Sequence, residues 1–303
     1  MRVATIDCGT NSIRLLIADV VAGSISEVFR EMEIVRLGQG VDKTKAFDPA
    51  AISRTLKATQ KFAALIKSKG VEKIRFCATS ATRDATNRHI FIDGVREILG
   101  IEPEVIPGTE EAALSFMGAT RELNSTAGPF LVVDIGGGST EFVYGTRAVE
   151  FATSVNIGCV RMHERHLIHQ PPTPAELEEA TIDIDKAIAE AALLVPIAKD
   201  CALIAVAGTA TTVAAAALDL IEYDRNAIHL SRISARKVHE IAFMFAVMSR
   251  AEIAALPYMH PGRVDVITSG SLVLSRILSK TGATEFIASE SDILDGMAWS
   301  LAL

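Results

Sequence analysis

Residues 7–17 read Asp7-Cys-Gly-Thr-Asn-Ser-Ile-Arg14-Leu-Leu-Ile, and residues 134–144 read Asp134-Ile-Gly-Gly-Gly-Ser-Thr-Glu141-Phe-Val-Tyr. In both stretches a hydrophobic run ends on an aspartate, a turn of small residues follows, and a second hydrophobic run begins. This pattern predicts a strand, a tight turn and a returning strand, with exposed backbone N–H groups at the bend. Small residues let a phosphate group approach the backbone closely, so both turns are candidate phosphate-binding loops.

The repeat also predicts a duplicated fold in which two phosphate loops face each other across a cleft. The two copies differ at their eighth position, which is Arg14 in the first copy and Glu141 in the second. The first copy therefore offers a cation for phosphate, and the second offers two carboxylates, Asp134 and Glu141, for a metal. Hard oxygen ligands of this kind suit Mg²⁺, which also bridges to phosphate.

The composition is that of a soluble globular protein of 303 residues, with 49% hydrophobic and 22% charged residues. That length predicts about two domains. The net charge of −7 supplies no global basic field, so we expect no nucleic-acid partner and a local basic site for any polyanionic ligand. Four scattered cysteines, no Cys-x-x-Cys pair and no signal-peptide pattern predict a cytoplasmic protein without a membrane partner.

The two halves of the chain have the same predicted order of elements, namely three antiparallel strands followed by alternating helices and strands. We expect a loop over Thr79–Ala85. We also expect Thr109 to be the N-cap of a helix whose first turn carries Glu110 and Glu111. The strand order starts again at Phe130, which supports the duplication inferred from the two turns.

The polar stretch Asn124–Pro129 is the predicted linker, because it contains glycine and proline between two regular patterns. The predicted domains are therefore 1–123 and 124–303. The last helix, at about 291–303, is expected to pack back on the first domain.

Six motifs occur in order along the chain. They are Asp7-x-Gly-Thr-Asn-Ser-x-Arg14, Ala78-Thr-Ser-Ala-x-Arg83-Asp-Ala-x-Asn87, Gly108-x-Glu-Glu111-Ala, Asp134-Ile-Gly-Gly-Gly-Ser-Thr-Glu141, Gly158-Cys-Val-Arg161 and Gly208-Thr209. Together they resemble the exopolyphosphatase / guanosine pentaphosphate phosphohydrolase (Ppx/GppA) family, over nearly the whole chain. The resemblance implies an α/β fold of two actin-like (ribonuclease H-like, ASKHA superfamily) domains, each a mixed sheet with helices, with the active site in the cleft between them.

The activity that the resemblance implies is hydrolysis of a terminal phosphate from inorganic polyphosphate or from guanosine pentaphosphate (pppGpp). We expect an exopolyphosphatase that uses Mg²⁺, or Mn²⁺, and forms a homodimer as family members often do. Longer relatives carry an additional helical C-terminal region that helps to channel long polyphosphate. This chain resembles the short form, so a preference for shorter chains is expected.

The resemblance also assigns roles to individual charged residues. Glu111 matches the family's proposed catalytic base; the alignment, and not the spacing, selects it over Glu110. Asp134 and Glu141 match the positions that hold a metal or position water. The alternatives are that Glu111 only interacts with a helix N-terminus and that Glu141 is an ordinary strand residue.

The expected phosphate cations are Arg14 and Arg83, because a planar guanidinium matches phosphate oxygens and stays charged. A structural ion pair is the alternative for Arg14, and Arg161 is a weaker candidate. The remaining phosphate contacts are expected from loop residues of the three turns. These residues are Thr10, Asn11, Gly136, Gly137, Gly138, Ser139, Gly208 and Thr209.

Three other functions stay open from the sequence. A pppGpp phosphohydrolase would use the same catalytic residues, and no motif in the chain is typical of guanine recognition. An actin-like ATPase or small-molecule kinase would share the phosphate loops but would need an adenosine site. A non-catalytic polyphosphate or nucleotide sensor would be expected to lose the base or a metal carboxylate, yet Glu111, Asp134 and Glu141 are all present.

Overall fold

The computed structural model describes residues 1–21, 24–123, 128–197 and 200–302. The strands are β1 (Arg2–Cys8), β2 (Ser12–Val21), β3 (Ser24–Ile34), β4 (Lys73–Ala78), β5 (Glu104–Val105), β6 (Phe130–Ile135), β7 (Thr140–Gly145), β8 (Val149–Val155), β9 (Ala202–Val206), β10 (Arg232–Ser234) and β11 (Glu285–Ala288). The helices are α1 (Val41–Thr44), α2 (Pro49–Ser68), α3 (Ser80–Asp84), α4 (Arg88–Leu99), α5 (Gly108–Thr120), α6 (Cys159–His166), α7 (Pro174–Ala192), α8 (Ala207–Ala217), α9 (Arg225–Ile228), α10 (Ala235–Val247), α11 (Arg250–Ala254), α12 (Ile267–Thr281) and α13 (Ile293–Ser300).

These elements form two compact units. The first consists of Met1–Gly118 together with Ile293–Leu303, and the second is Ala119–Asp292. The sequence placed the boundary at 123/124, a few residues later than this division. Residues 124–127 of the expected linker lie outside the described residues.

Among the described residues, each unit contains one sheet, and corresponding strands follow one another in the same order. The first sheet has the order β3-β2-β1-β4-β5. The second, given from its corresponding edge, has the order β8-β7-β6-β9-β11-β10, with β10 as an additional edge strand. In both, three consecutive strands pair antiparallel, and the first of the three then pairs with a parallel strand, β4 or β9. The expected fold class, two α/β units that each contain a mixed sheet and helices, is confirmed.

The sequence explains where the longer helices begin. The Asp48 carboxylate accepts hydrogen bonds from the N–H groups of Ala50 and Ala51, and Pro49 occupies the first position of α2. Thr173 and Glu176 form a reciprocal capping box at the start of α7. Helix α8 is almost entirely buried in the second unit, and in the described part of the chain no helix has both the length and the apolar character required to cross a membrane.

The last helix, α13, packs on the first sheet. Leu294 and Ala298 lie in one apolar cluster with Val3 and Leu16 of β1 and β2. Its Gly296 meets the backbone of α5, where a Cβ would overlap the Leu114 carbonyl group. This helix therefore completes the first unit although it follows the second unit in sequence.

Two local expectations were wrong. The expected loop Thr79–Ala85 contains the short helix α3, whose residues Ser80, Ala81 and Thr82 are buried against the unit. Thr109 is not an N-cap, because α5 already begins at Gly108 and the Glu111 N–H donates to the Pro107 carbonyl. Tertiary packing stabilises the short helix α3 where the sequence predicted a loop. The Pro107-Gly108 pair sets the start of α5 one residue before Thr109.

Candidate functional site

The two turns that repeat in sequence have the same structure. In the first, the N–H of Gly9 donates to the Ser12 carbonyl at 2.9 Å, and in the second the N–H of Gly136 donates to the Ser139 carbonyl at 3.0 Å. The strand register places the first and eighth residues of each copy directly opposite one another, as Asp7↔Arg14 and Asp134↔Glu141. Because directly opposed residues of an antiparallel pair share a face, each pair lies on one side of its sheet beside the turn.

In the first turn, the carbonyl groups of Thr10 and Asn11 accept hydrogen bonds from the segment of residues 35–38. The N–H groups of Val35 and Arg36 donate to the Asn11 carbonyl at 3.0 and 2.8 Å, and the N–H of Gly38 donates to the Thr10 carbonyl at 2.8 Å. The C=O and N–H of a planar trans peptide point in opposite directions, so the amides of Asn11 and Ser12 face away from that segment. The turn therefore presents donors on its other side, as an anion requires.

The Thr10 side chain supports the same interpretation. Its Oγ1 atom is buried and has no hydrogen-bond partner among the described residues. A buried hydroxyl without a partner is costly, and native structures explain such groups by water, an ion or a ligand. The Thr10 hydroxyl is therefore suited to bind an oxygen ligand at this turn.

The second turn is held by the start of α6. The N–H groups of Cys159 and Val160 donate to the carbonyls of Gly136 and Gly137, both at 2.9 Å. The Gly138 carbonyl accepts from Arg161 Nε at 2.6 Å. The amides of Gly137, Gly138 and Ser139 consequently point to the opposite side, where they are placed to receive an anion.

Arg161, the weaker cation candidate, thus holds a loop carbonyl group from a buried position. Gly158 has a different role at the same contact: a Cβ there would overlap the Gly137 carbonyl group. The turn can approach α6 this closely only because residue 158 has no side chain.

Arg14 pairs with the aspartate of its own copy. Its Nη2 and Nε atoms lie 2.7 and 3.1 Å from Asp7 Oδ2, and both side chains are largely buried. The ion pair that the sequence left as an alternative for Arg14 is therefore present. A role for the same guanidinium in phosphate binding stays a prediction.

Glu141 lies in the second copy, opposite Asp134, and is fully buried. Its Oε1 atom accepts hydrogen bonds from Ser139 Oγ and Ser154 Oγ, both at 2.7 Å. Ser154 is the residue opposite Glu141 on β8, so Asp134, Glu141 and Ser154 form one row across three strands. Sequence reasoning missed Ser154, which only the register of β7 and β8 identifies.

The residues of this row fit a divalent cation. Two carboxylates directly opposite each other on one face repel, and a cation between them removes that repulsion. In the part of the chain that the structure describes, no group of three or more His, Cys, Asp or Glu side chains is arranged as a metal site. Mg²⁺ does not need such a group, because it is usually bound by one or two carboxylates together with waters and substrate phosphates.

The structure brings Arg83 and Glu111 together in the first unit. Arg83 Nη1 lies 2.6 Å from Glu111 Oε2 and also donates to the Ile106 carbonyl at 3.0 Å. The Nε and Nη2 groups of Arg83 have no acceptor among the described residues, so they can contact phosphate oxygens. Arg83 is carried by α3, the helix that was expected to be a loop.

The neighbouring glutamates of α5 have different surroundings. The Glu111 side chain is 11% exposed, whereas the Glu110 side chain is 42% exposed and pairs with Arg75 at 2.7 Å. Arg75 also pairs with Glu104, so Glu110 belongs to a surface ion-pair network. Of the two, only Glu111 has the buried and oriented carboxylate that a general base needs.

At the third turn, where α8 begins, Arg263 lies against Gly208. Sequence reasoning did not identify this arginine. Arg263 lies so close to Gly208 that a Cβ on Gly208 would be 2.6 Å from the guanidinium carbon. Its Nη1 donates to Thr212 Oγ1 at 2.8 Å, and its guanidinium lies 5.7 Å from the centre of the Tyr223 ring. Arg263 follows a Pro-Gly pair just before α12, a position that no motif marked.

Tyr223 connects this arginine to two further polar groups. Its hydroxyl donates to Glu290 Oε1 at 2.6 Å and lies 2.7 Å from Thr211 Oγ1. Burial, reinforced by the negative charge of Glu290, raises the pKa of Tyr223 to about 12. The hydroxyl therefore stays protonated at neutral pH and holds the ring in place beneath Arg263.

Comparison with known proteins identifies the family. The model of the Ppx/GppA phosphatase family matches residues 16–303. The chain is 46% identical to exopolyphosphatase 2 of Mycobacterium tuberculosis, over 99% of this chain and 98% of that protein. It is 44% identical to an exopolyphosphatase-like protein of known crystal structure, with a TM-score of 0.96 and coverage of 100% and 99% of the two chains.

A more distant relative has a different name. The guanosine-5'-triphosphate,3'-diphosphate pyrophosphatase of Photobacterium profundum is 36% identical over 60% of this chain, which corresponds to 37% of that protein. The full-length matches, the family model and the order of the six motifs agree. The chain belongs to the Ppx/GppA phosphatase family.

Proposed function

We propose that this protein is an exopolyphosphatase, which releases the terminal orthophosphate of inorganic polyphosphate by hydrolysis. The observation that carries the proposal is the similarity to exopolyphosphatase 2 over 99% of the chain. The buried pair of Arg83 and Glu111 supports it, because phosphoanhydride hydrolysis needs a base for water and a cation for phosphate.

In the proposed reaction, a water oxygen forms a bond to the terminal phosphorus while the bond from that phosphorus to the bridging oxygen breaks. The proton of the attacking water passes to the Glu111 carboxylate. Arg83 holds Glu111 in place and offers its remaining N–H groups to the oxygens of the phosphate. The products are orthophosphate and a polyphosphate chain that is one unit shorter.

Within each unit, the backbone amides of the turn are candidate donors to non-bridging phosphate oxygens. In the first unit these donors are supplied by the Thr10–Ser12 segment, and in the second by the Gly137–Ser139 segment. Gly208 and Thr209 lie at the start of α8, and Arg263 places a cation beside them. Such fixed donors neutralise charge without reorganising during the reaction.

We further propose that Asp134 and Glu141 hold Mg²⁺, with Mn²⁺ as a substitute. Such a cation would supply neutralisation of the charge on the phosphate oxygens. The donors of Ser139 and Ser154 fix one oxygen of Glu141 and so orient its carboxylate.

The test of this function is a comparison of substrates. Purified protein with Mg²⁺ is given short polyphosphate, long polyphosphate, guanosine pentaphosphate and ATP, and released phosphate is measured. Release from both polyphosphates in preference to the nucleotides is the expected result. Release from guanosine pentaphosphate alone would replace this proposal with alarmone hydrolysis, and binding without release from any substrate would indicate a sensor.

Guanosine pentaphosphate hydrolysis is the second candidate, because the relative from Photobacterium profundum is named for that substrate. The lower coverage of that match ranks it below polyphosphate hydrolysis. We also propose that the enzyme works in the cytoplasm, in line with its four free cysteines. We propose in addition that it forms a homodimer. Light scattering of the purified protein would measure the oligomeric state.

A further inference from the structure

Three parallel strands of the first sheet end side by side, and Thr79 is the residue that follows the middle one. Cys8 at the end of β1 pairs with Ala78 at the end of β4, and Ala78 pairs with Val105 at the end of β5. The N–H of Thr79 donates to the Cys8 carbonyl at 3.1 Å. The N–H of Ile106 donates to the Ala78 carbonyl at 3.2 Å. Thr79 therefore lies between the segments that leave β1 and β5, with neighbouring strands about 4.8 Å apart.

The two neighbours of Thr79 belong to different parts of the candidate site in this unit. On the β1 side is Gly9, whose N–H closes the first turn. On the β5 side is Ile106, whose carbonyl accepts from Arg83 Nη1 at 3.0 Å, and the same nitrogen lies 2.6 Å from Glu111 Oε2. The N–H of Arg83 also donates to the Thr79 carbonyl at 3.0 Å. Thr79 thus lies between the first turn and the proposed base.

The sheet has two faces, and Thr79 lies on the face towards which the turn amides point. The segment 35–38, which holds the carbonyl groups of the turn, packs in one apolar cluster with Ala78. Cys77 packs in a different cluster, with Leu114 of α5. Successive residues of a strand point to opposite faces, so Thr79 shares the face of Cys77 and not that of Ala78. Thr79 is therefore on the side away from residues 35–38, together with the turn amides and α5.

The Thr79 hydroxyl lies against the first turn. A Cβ on Gly9 would be 4.0 Å from Thr79 Oγ1, which is an ordinary contact distance. Thr79 directly precedes α3, but its side chain forms no capping hydrogen bond with that helix. In the part of the chain that the structure describes, only the backbone N–H and C=O of Thr79 take part in hydrogen bonds. Because Thr79 is only 3% exposed, its hydroxyl requires a water or ligand oxygen as a partner.

We propose that Thr79 is a further catalytic residue, whose hydroxyl orients the water that attacks the terminal phosphorus. This inference rests on the proposed function, because it concerns the same hydrolysis. The Thr79 oxygen accepts a hydrogen bond from one hydrogen of the water, while the other hydrogen passes as a proton to Glu111. The Thr79 O–H donates to a phosphate oxygen at the first turn, so the residue keeps its own proton. With both hydrogens engaged, the water directs a lone pair towards phosphorus.

Two substitutions at residue 79 separate the hydroxyl from the packing of the side chain. Thr79→Val keeps the shape and removes the hydroxyl, whereas Thr79→Ser keeps the hydroxyl and removes the methyl group. The matched control is Thr82→Val, because Thr82 lies on α3, is buried and has a hydroxyl without a hydrogen-bond partner among the described residues. We would measure kcat and KM for phosphate release, and urea unfolding of each variant.

We expect Thr79→Val to lower kcat about 10- to 100-fold and to change KM less than about threefold, while Thr79→Ser stays within about threefold of wild type. Thr82→Val should leave kcat unchanged. Thr79→Val should unfold at the same or a higher urea concentration, because removal of a hydroxyl without a protein partner is not destabilising. Full activity of Thr79→Val, or an equal loss of activity in Thr79→Ser, would overturn the role of the hydroxyl.

A double-mutant cycle with Glu111→Gln tests whether the two side chains hold the same water. If they do, Thr79→Val should lower the kcat of Glu111→Gln protein less than about twofold, because the oriented water no longer has its base. Losses that multiply in the double variant would contradict a shared water, even if each single variant is impaired.

The choice of substrate separates this inference from the proposed function. The variants are compared on the substrate that wild type hydrolyses. Phosphate release from guanosine pentaphosphate alone would contradict the exopolyphosphatase proposal, and the same variants would then decide the role of Thr79 on that substrate. Full activity of both wild type and Thr79→Val on polyphosphate would contradict the role of Thr79 alone. No release from any substrate would contradict both.

Discussion

Arg83 donates a hydrogen bond of 2.6 Å from Nη1 to Oε2 of Glu111, and the same nitrogen holds the carbonyl of Ile106. The glutamate is thus fixed by an arginine that itself is fixed by the backbone. In the proposed reaction, neither side chain would have to reorganise before Glu111 takes the proton of water, and such preorganisation favours general-base catalysis.

The first prediction concerns this glutamate. Glu111→Gln keeps the size of the side chain and an oxygen for Arg83 but removes the basic carboxylate. We expect kcat for polyphosphate hydrolysis to fall about 10²–10⁴-fold, with substrate affinity retained. Glu110→Gln is the matched control, because Glu110 is the adjacent residue and pairs at the surface with Arg75. Similar losses in both variants would show that Glu111 is not the specific base.

The second prediction concerns the buried hydroxyl of Thr10. Thr10→Val keeps the shape of the side chain that packs against Gly38 and removes a hydroxyl that has no hydrogen-bond partner in the described part of the chain. The free energy of unfolding should stay the same or increase by up to about 1 kcal/mol, while kcat/KM falls about tenfold. Urea unfolding and phosphate release measure the two quantities. A clear loss of stability with unchanged kcat/KM would contradict a role in ligand binding.

The third prediction concerns the contact between the second turn and α6. Gly158→Ala places a methyl group against the Gly137 carbonyl, and the turn must move. We expect about 1–3 kcal/mol of destabilisation and a large loss of phosphate release. Gly100→Ala is the control, since Gly100 has a positive φ of 71° but open space around it. Gly100→Ala should lower the free energy of unfolding by about 1–2 kcal/mol and leave turnover unchanged. Full activity of Gly158→Ala would show that phosphate release tolerates a displaced turn.

The fourth prediction concerns metal binding by the row of Asp134, Glu141 and Ser154. Mn²⁺ binding is measured by electron paramagnetic resonance on protein without substrate, and phosphate release is measured separately. Ser154→Ala removes a donor to Glu141 and should weaken Mn²⁺ binding about ten- to a hundredfold. Glu141→Gln should abolish it. Wild-type Mn²⁺ affinity in Glu141→Gln would exclude this carboxylate as a ligand.

The fifth prediction concerns stability at low pH. Glu176 closes the capping box of α7, and hydrogen bonds from the backbone N–H groups, Thr173 first, lower the pKa of Glu176 to about 2. A carboxyl group whose pKa is lower in the folded state stabilises the protein above the pKa of the unfolded chain, near 4.5, and this stabilisation is lost as pH falls towards 2.

The measurement is urea unfolding of wild type and Glu176→Gln between pH 7 and pH 2. The difference in the free energy of unfolding should be constant down to about pH 5 and should shrink below it. Glu178→Gln, an exposed change on the same helix, is the matched control. If the difference in the free energy of unfolding between wild type and Glu176→Gln stayed constant down to pH 2, the lowered pKa of Glu176 would be contradicted.

The repeated turns could be predicted from sequence because small residues between two apolar runs admit few structures. The cross-strand pairing of Asp134 with Glu141 follows from the same pattern. Ser154 could not be found in this way, because its position depends on the register of β7 and β8, which no local pattern specifies. Arg263 reaches Gly208 through a contact between segments more than 50 residues apart, as its bond to Thr212 illustrates.

The choice between Glu110 and Glu111 shows a second limit. Adjacent residues on a helix differ by about 100° in direction, but the sequence does not state which direction faces the interior. The structure separates them by their exposure and their partners: the Glu110 side chain is 42% exposed and pairs with Arg75, whereas the Glu111 side chain is 11% exposed and pairs with Arg83. Helix α3 was missed for a related reason: its few residues are held by burial and not by helix propensity.

The position of α13 has a consequence for the order in which the two units can fold during translation. The second unit is a continuous segment, Ala119–Asp292, whereas the first unit waits for Ile293–Leu303. During translation the second unit can fold while the first still lacks the helix whose Gly296 rests on the backbone of α5. Because α5 carries Glu111, the helix that supports the proposed base is synthesised only after the whole of the second unit.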